Sequence, residues 1–321
     1  MKTLAKMIVA LCLLHCGLAG AQGGPARIGF LATAVGESPA RAAFVAGMRD
    51  LGYEDGRNLR IETVHTARDQ EAVEKAVEQL LRAQVRLIVA EGPVAPQAHK
   101  ALRGRLPMVF AFSGDPVEAG LVQSLGRPGG SSTGITMLAF ETVGKRLELL
   151  KELKPAARRV AILVRPAHPG AKEETRVSVE AAKRLGLQTV VVEVDEGQDV
   201  PAALARIKAE KVDGVVVFPD TSMLAVAPRM AEFARAERLL FVMGWKEFTA
   251  AGMPAAFGPS ALEAFRDVAR HVDRILKGAD PRNVPTEQAS RFYVTFNRKA
   301  LAAIGVEIPH SLLMRADEVI E

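Results

Sequence analysis

Gly129 and Gly134 in the stretch GRPGGSSTGIT (126–136) have the spacing of the two glycines of a phosphate-binding P-loop. That loop needs a lysine straight after the second glycine to reach the phosphates, then a hydroxyl to hold magnesium. Ile135 stands in the lysine's place, and only Thr136 keeps the hydroxyl. Without the cation the spacing has no purpose, so the stretch reads as a loop whose glycines make turns.

Other catalytic patterns are missing too. The sequence has no H-E-x-x-H zinc pair. His65, His99, His168, His271 and His310 are scattered without ligand-pair spacing. No G-x-G-x-x-G follows the first strand-like run, so a nicotinamide enzyme would lack its phosphate loop. No metal and no bound cofactor are expected. A Ser-His-Asp triad drawn from distant residues stays open, because triads are set by geometry and not by order.

The first residues differ from the rest. Lys2 and Lys6 precede an apolar run, Met7 to Leu14, and Ala19-Gly20-Ala21 offers a small-x-small cleavage site. This is the layout of a secretory signal peptide over 1–21, with a mature N-terminus at Gln22. Lipid attachment at Cys16 is the competing reading, and His15 just before the cysteine fits it poorly. The only cysteines, Cys12 and Cys16, lie in this leader. The mature chain then has no disulfide, cysteine nucleophile or thiolate metal site. The net charge of +5 is spread along the chain, with basic residues interleaved with acids as in KEETR and AEFARAER. A nucleic-acid binder gathers them into a patch, so no nucleic-acid partner is expected.

What remains are polar residues at the ends of apolar runs, and the order of those runs decides what they can do. RIGFLAT (27–33) reads as a buried strand, and SPARAAFVAGMRDLG (38–52) as a helix with Ser38 as N-cap, Pro39 in the first turn and Gly52 as stop. LRIETVHT, a helix capped by Asp69, VRLIVAEG, a short helix, PMVFAFSG, a helix from Pro116 to Leu125, and STGIT complete a half. Alternating strands and helices predict a parallel α/β sheet. The pattern then restarts: RRVAILVR matches ARIGFLAT, KVDGVVVFPD matches QVRLIVAEGP, and RLLFVMG matches RLPMVFAFSG, at an offset of about 130 residues. Two similar lobes imply a ligand clamped between them, at the carboxyl ends of the strands.

Along nearly the full mature length the sequence resembles a family of ABC-transporter substrate-binding proteins with the type I periplasmic-binding fold. The stretches that carry the resemblance are GMRDLGYEDGRNLRIE, GDPVEAGLVQSLGRPGGSSTGIT, GKRLELLKEL, RPAHPG, GWKEFTAAG, DRILKGADP and IPHSLLMRADEVIE. The resemblance implies two Rossmann-like parallel-sheet lobes joined by a hinge. It places lobe one at 26–138 plus 259–284 and lobe two at 139–258 plus 285–321. It also implies a periplasmic, monomeric protein that takes up a small-molecule solute and hands it to a membrane permease driven by an ATPase. Better-understood relatives are associated with aromatic amino acids. The sequence departs from the family at Gly92-Pro93-Val94, where Gly-Thr-Pro is common. It departs also at Arg165 and His168, where asparagine is common, and at Met243, where tyrosine is frequent.

The candidate ligand-binding residues are those at strand ends: Thr33, Ala34, Pro93, Val94, Ser113, Asp115, Arg165, His168, Asp220 and Trp245. Each also has a local use, since Ser and Asp cap helices and Pro makes turns. Arg165 and the N-terminus of the helix starting near Gly170 suit a carboxylate. Asp115 or Asp220 would take an ammonium, and Trp245 and Met243 would face an apolar portion. That pattern predicts an amino acid or similar zwitterion, aromatic ones included. A sensor subunit presenting its ligand to a receptor kinase and an exported hydrolase are the alternative functions.

Overall fold

The computed structural model describes residues 24–33, 38–166, 168, 170–194 and 200–321. The expected leader over 1–21 and Ala34 lie outside the described residues. In the first half β1 (Ala26–Ala32), α1 (Pro39–Asp50), β2 (Leu59–His65), α2 (Gln70–Arg82), β3 (Ile88–Glu91), α3 (Ala95–Leu102), β4 (Met108–Phe112) and β5 (Ser132–Thr136) follow one another. The second half runs α4 (Val143–Leu153), β6 (Arg159–Val164), α5 (Ala171–Arg184), β7 (Gln188–Glu193), α6 (Val200–Ala209), β8 (Gly214–Val217), α7 (Thr221–Ala225), α8 (Ala227–Glu237), β9 (Leu240–Met243), α9 (Glu247–Ala250) and β10 (Ala255–Gly258). Then come α10 (Ala261–Leu276), β11 (Glu287–Gln288), β12 (Tyr293–Asn297), α11 (Arg298–Ala303), α12 (His310–Leu313) and β13 (Glu318–Ile320).

Short polar residues start α1, α2 and α10. Ser38 accepts the Arg41 N–H, Asp69 the Ala72 N–H and Ser260 the Glu263 N–H, each satisfying a first-turn donor. The central strands are buried on both faces. In β1, Ile28, Phe30 and Ala32 enter one apolar cluster and Leu31 another. In β6, Ala161 and Leu163 enter one, while Val160, Ile162 and Val164 enter the other. This is the two-residue period of a strand with helices on both sides.

One sheet has the order β2-β1-β3-β4-β5-β11 and the other β7-β6-β8-β9-β10-β12-β13. The leading five strands of each share one order, so the sequence repeat is a repeat of topology. Among the described residues all strand pairs are parallel except β10 with β12. The chain is therefore an α/β protein of two doubly wound parallel-sheet lobes. It passes between the sheets after β5, after β10, and between β11 and β12.

Three expectations change. The helix expected from Pro116 to Leu125 is a set of turns, closed by Ala119 N–H to Asp115 O and Leu121 N–H to Pro116 O. Gly120, at a φ of 70°, ends the helical turn as soon as it forms. The returning first-lobe segment also runs past 284. α10 packs on α1, β4 and β5, and β11 then pairs with β5, Glu287 opposite Ile135. Gly134 is no turn residue. It lies within β5, where an added Cβ would sit 2.1 Å from the Phe110 carbonyl oxygen. No helix among the described residues is long and apolar enough to cross a membrane.

Candidate functional site

At the carboxyl end of β3 the apolar run closes on Glu91, which is 1% exposed. Its Oε2 accepts the Thr33 N–H at 2.8 Å and the Thr33 hydroxyl at 2.7 Å, and Oε1 accepts the Ser38 hydroxyl at 2.8 Å. Thr33 and Glu91 thus hold the end of β1 to the end of β3, neighbouring strands. Glu91 was not among the sequence candidates. Its signal was there, a lone acid closing an otherwise apolar strand, which must find donors when buried. Pro93 and Val94 follow in a single 3₁₀ turn, both buried, and Val94 packs into the first lobe's core with Phe112.

The two sheets meet through their strand ends. Ser113, after β4, lies with its Oγ 2.6 Å from Nε2 of His168, after β6. Asp220, after β8 and 2% exposed, accepts from the Arg165 guanidinium at 3.3 Å within its own lobe. It also accepts from Arg68 of the first lobe, at 3.2 and 3.3 Å on its two oxygens. Arg68, in the loop between β2 and α2, is a second residue that the sequence did not single out. Arg165, His168, Ser113 and Asp220 are therefore brought together. Asp115 is not among them: its Oδ1 accepts the N–H groups of Val117 and Glu118 and caps the turn. Trp245 is 2% exposed and stacks on Phe248, ring centroids 6.1 Å apart, and its Nε1 has no partner among the described residues.

Ser113 with His168 has the spacing of a nucleophile and its base. Burial pushes the His168 imidazole below its usual pKa, with the Asp220 charge opposing, so the ring is neutral. Yet Nδ1, which a third group orients in a triad, has no partner among the described residues. The pair acts as a contact between lobes.

Behind Asp220 lies a second buried pair. Arg146 of α4 donates to the Val217 carbonyl at 3.0 Å and the Thr142 hydroxyl at 3.3 Å. Glu174 of α5 is 1% exposed, and neither of its oxygens has a hydrogen-bond partner among the described residues. Burial raises its carboxyl from the ordinary 4.5 to about 8, the Arg146 charge opposing and the Asp220 charge adding. The folded state holds a proton that the unfolded chain releases. That contribution is full below 4.5 and is lost as the pH climbs through about 8. Glu174→Gln should therefore stabilise the protein against urea by about 1–3 kcal/mol above pH ~8.5, the gap closing toward pH ~5. A gap independent of pH would show that Glu174 does not titrate in this way.

The chain belongs to the ABC transporter substrate-binding protein family, whose model matches residues 35–320. It is 23% identical over 269 residues to a tyrosine-binding protein of Clostridioides difficile, covering 84% of this chain and 77% of that one. Among solved structures it resembles an ABC domain in complex with L-Trp from Streptococcus pneumoniae, at a TM-score of 0.82 and 23% identity over 92% of this chain and 100% of that one. It also resembles a ligand-free, open substrate-binding protein from Clostridium difficile, at a TM-score of 0.64 and 23% identity over 92% and 99%.

Proposed function

We propose that this chain is the exported capture component of an importer. It closes its two lobes on an amino acid or similar zwitterion and delivers it, as a monomer in the periplasm, to a membrane permease driven by a separate ATPase. The observation that carries this reading is the pair of contacts across the cleft, Arg68 to Asp220 and Ser113 to His168. Contacts between facing strand ends are those that form when a clamp closes. The lower TM-score to the open relative, at equal identity, fits lobes held closer together here. The tyrosine and L-Trp in the names of the two relatives support an amino acid with an aromatic portion. The leader-like 1–21 segment supports export.

Thermal melts against a panel of amino acids test it. A ligand bound only by the native state adds about 2.7 kcal/mol of stability at a hundred times its Kd. Tryptophan or tyrosine should raise the melting temperature in proportion to the logarithm of its concentration. A flat response across the panel, with turnover of chromogenic esters, would replace this reading with a hydrolase.

A further inference from the structure

Beside the facing strand ends four buried polar atoms have no partner among the described residues: Nδ1 of His168, Oγ1 of Thr221, Nε1 of Trp245 and Oε1 of Gln97. Native proteins leave few such atoms, and those they leave call for an explanation. The first three follow β6, β8 and β9, which are neighbours in the second sheet. An indole N–H only donates, and a hydroxyl can donate. His168 Nδ1 donates whenever Nε2 accepts the Ser113 proton. The second lobe thus offers donors.

Gln97 offers the opposite from the first lobe. It lies in the first turn of α3, close after the end of β3. Its Nε2 donates to the Arg68 carbonyl at 3.3 Å, so the side chain is anchored to the residue that crosses to Asp220. The remaining oxygen can only accept. The two acids expected to hold an ammonium are both engaged, Asp220 by guanidinium groups and Asp115 by N–H groups of its own turn.

We infer that Gln97 reads the ligand's amino group: its Oε1 accepts a ligand N–H, while the ligand's carboxylate lies against the donors of His168, Thr221 and Trp245. This rests on the amino-acid reading above and names the residue that makes the site prefer amino acids over plain carboxylic acids. Glu174 is the competing acceptor. It faces Arg146 within the second lobe, and its proton is retained at neutral pH.

The test pairs a ligand with its des-amino form. Tryptophan and indole-3-propionate are titrated calorimetrically into the full mature chain, alongside Gln97→Met, Gln97→Glu and Glu174→Gln. The parent should prefer tryptophan by about tenfold or more. Gln97→Met should weaken tryptophan alone and bring the two ligands within about twofold of each other. Gln97→Glu, which keeps an acceptor, should retain the preference, and Glu174→Gln should leave it unchanged. Equal weakening of both ligands by Gln97→Met would make Gln97 structural only. A preference lost in Glu174→Gln instead would move the role to that residue. Either result overturns the assignment and leaves the amino-acid reading standing. Binding of indole-3-propionate but not tryptophan by the parent would overturn both.

Discussion

Asp220→Ala should destabilise the protein by about 3–5 kcal/mol, measured as a fall in the urea midpoint at neutral pH. The carboxylate is 2% exposed, and the side chains of its partners Arg165 and Arg68 are only 8% and 14% exposed. Removing it leaves two guanidinium groups facing each other with the charge between them gone. Breaking a buried pair in this way costs more than the pair itself contributes, because the remaining charges stay desolvated. The loss should divide. Arg165 shares Asp220's lobe, so part of it appears in the ligand-free protein whatever the lobes are doing. Arg68 comes from the other lobe, so the rest appears as weaker closure, read by scattering as a larger radius of gyration with saturating ligand. Asp220→Asn, which keeps an acceptor, should cost less. A loss under about 1 kcal/mol for Asp220→Ala would mean that water already reaches the cluster, as for exposed pairs.

Gly258→Ala should be comparably severe for a reason of shape alone. An added Cβ would sit 1.8 Å from the Gly244 carbonyl oxygen and 2.8 Å from its carbon. Both atoms are backbone, so no side-chain rotation relieves the clash. β9 and β10 would have to part where they pair, Ala256 with Met243. The same segment leads through Pro259, whose carbonyl accepts the Lys246 N–H, into α10 of the other lobe. The expected cost is about 3 kcal/mol or more, the upper end for overpacking, with reduced soluble yield. Gly24→Ala is the control, since nothing lies within 4 Å of a Cβ there. An unchanged urea midpoint for Gly258→Ala would show that the strands separate at little cost.

Much of this fold was legible because its causes are local. A short continuous run of apolar residues makes a strand buried on both faces wherever the chain later packs. Ser38, Asp69 and Ser260 cap helices through N–H groups three residues on, and the restart at Arg158 exposes the second sheet. The misread stretch after Pro116 had a proline and a capping acid, both true helix signals. The turns there follow from Gly120 and from the path back to β5. Glu91 was legible in principle, as the one acid of its strand.

The site was only half legible, and distance in sequence is the reason. Strand order puts Ser113, Arg165, His168 and Asp220 at the carboxyl ends of strands, so their positions followed from the pattern. What they touch did not. Arg68 and Asp220 are 152 residues apart, and Ser113 and His168 are 55 apart. An arginine in a loop carries no local mark of the acid it will meet across a cleft. Trp245 was placed at the right strand end, but packing against Phe248 decided that its face is covered and its N–H is left without a partner. The sequence by itself determined two lobes and the edges where they face each other. The pairing of charges across that edge depends on how the two sheets are set against one another, and only the tertiary structure decided it.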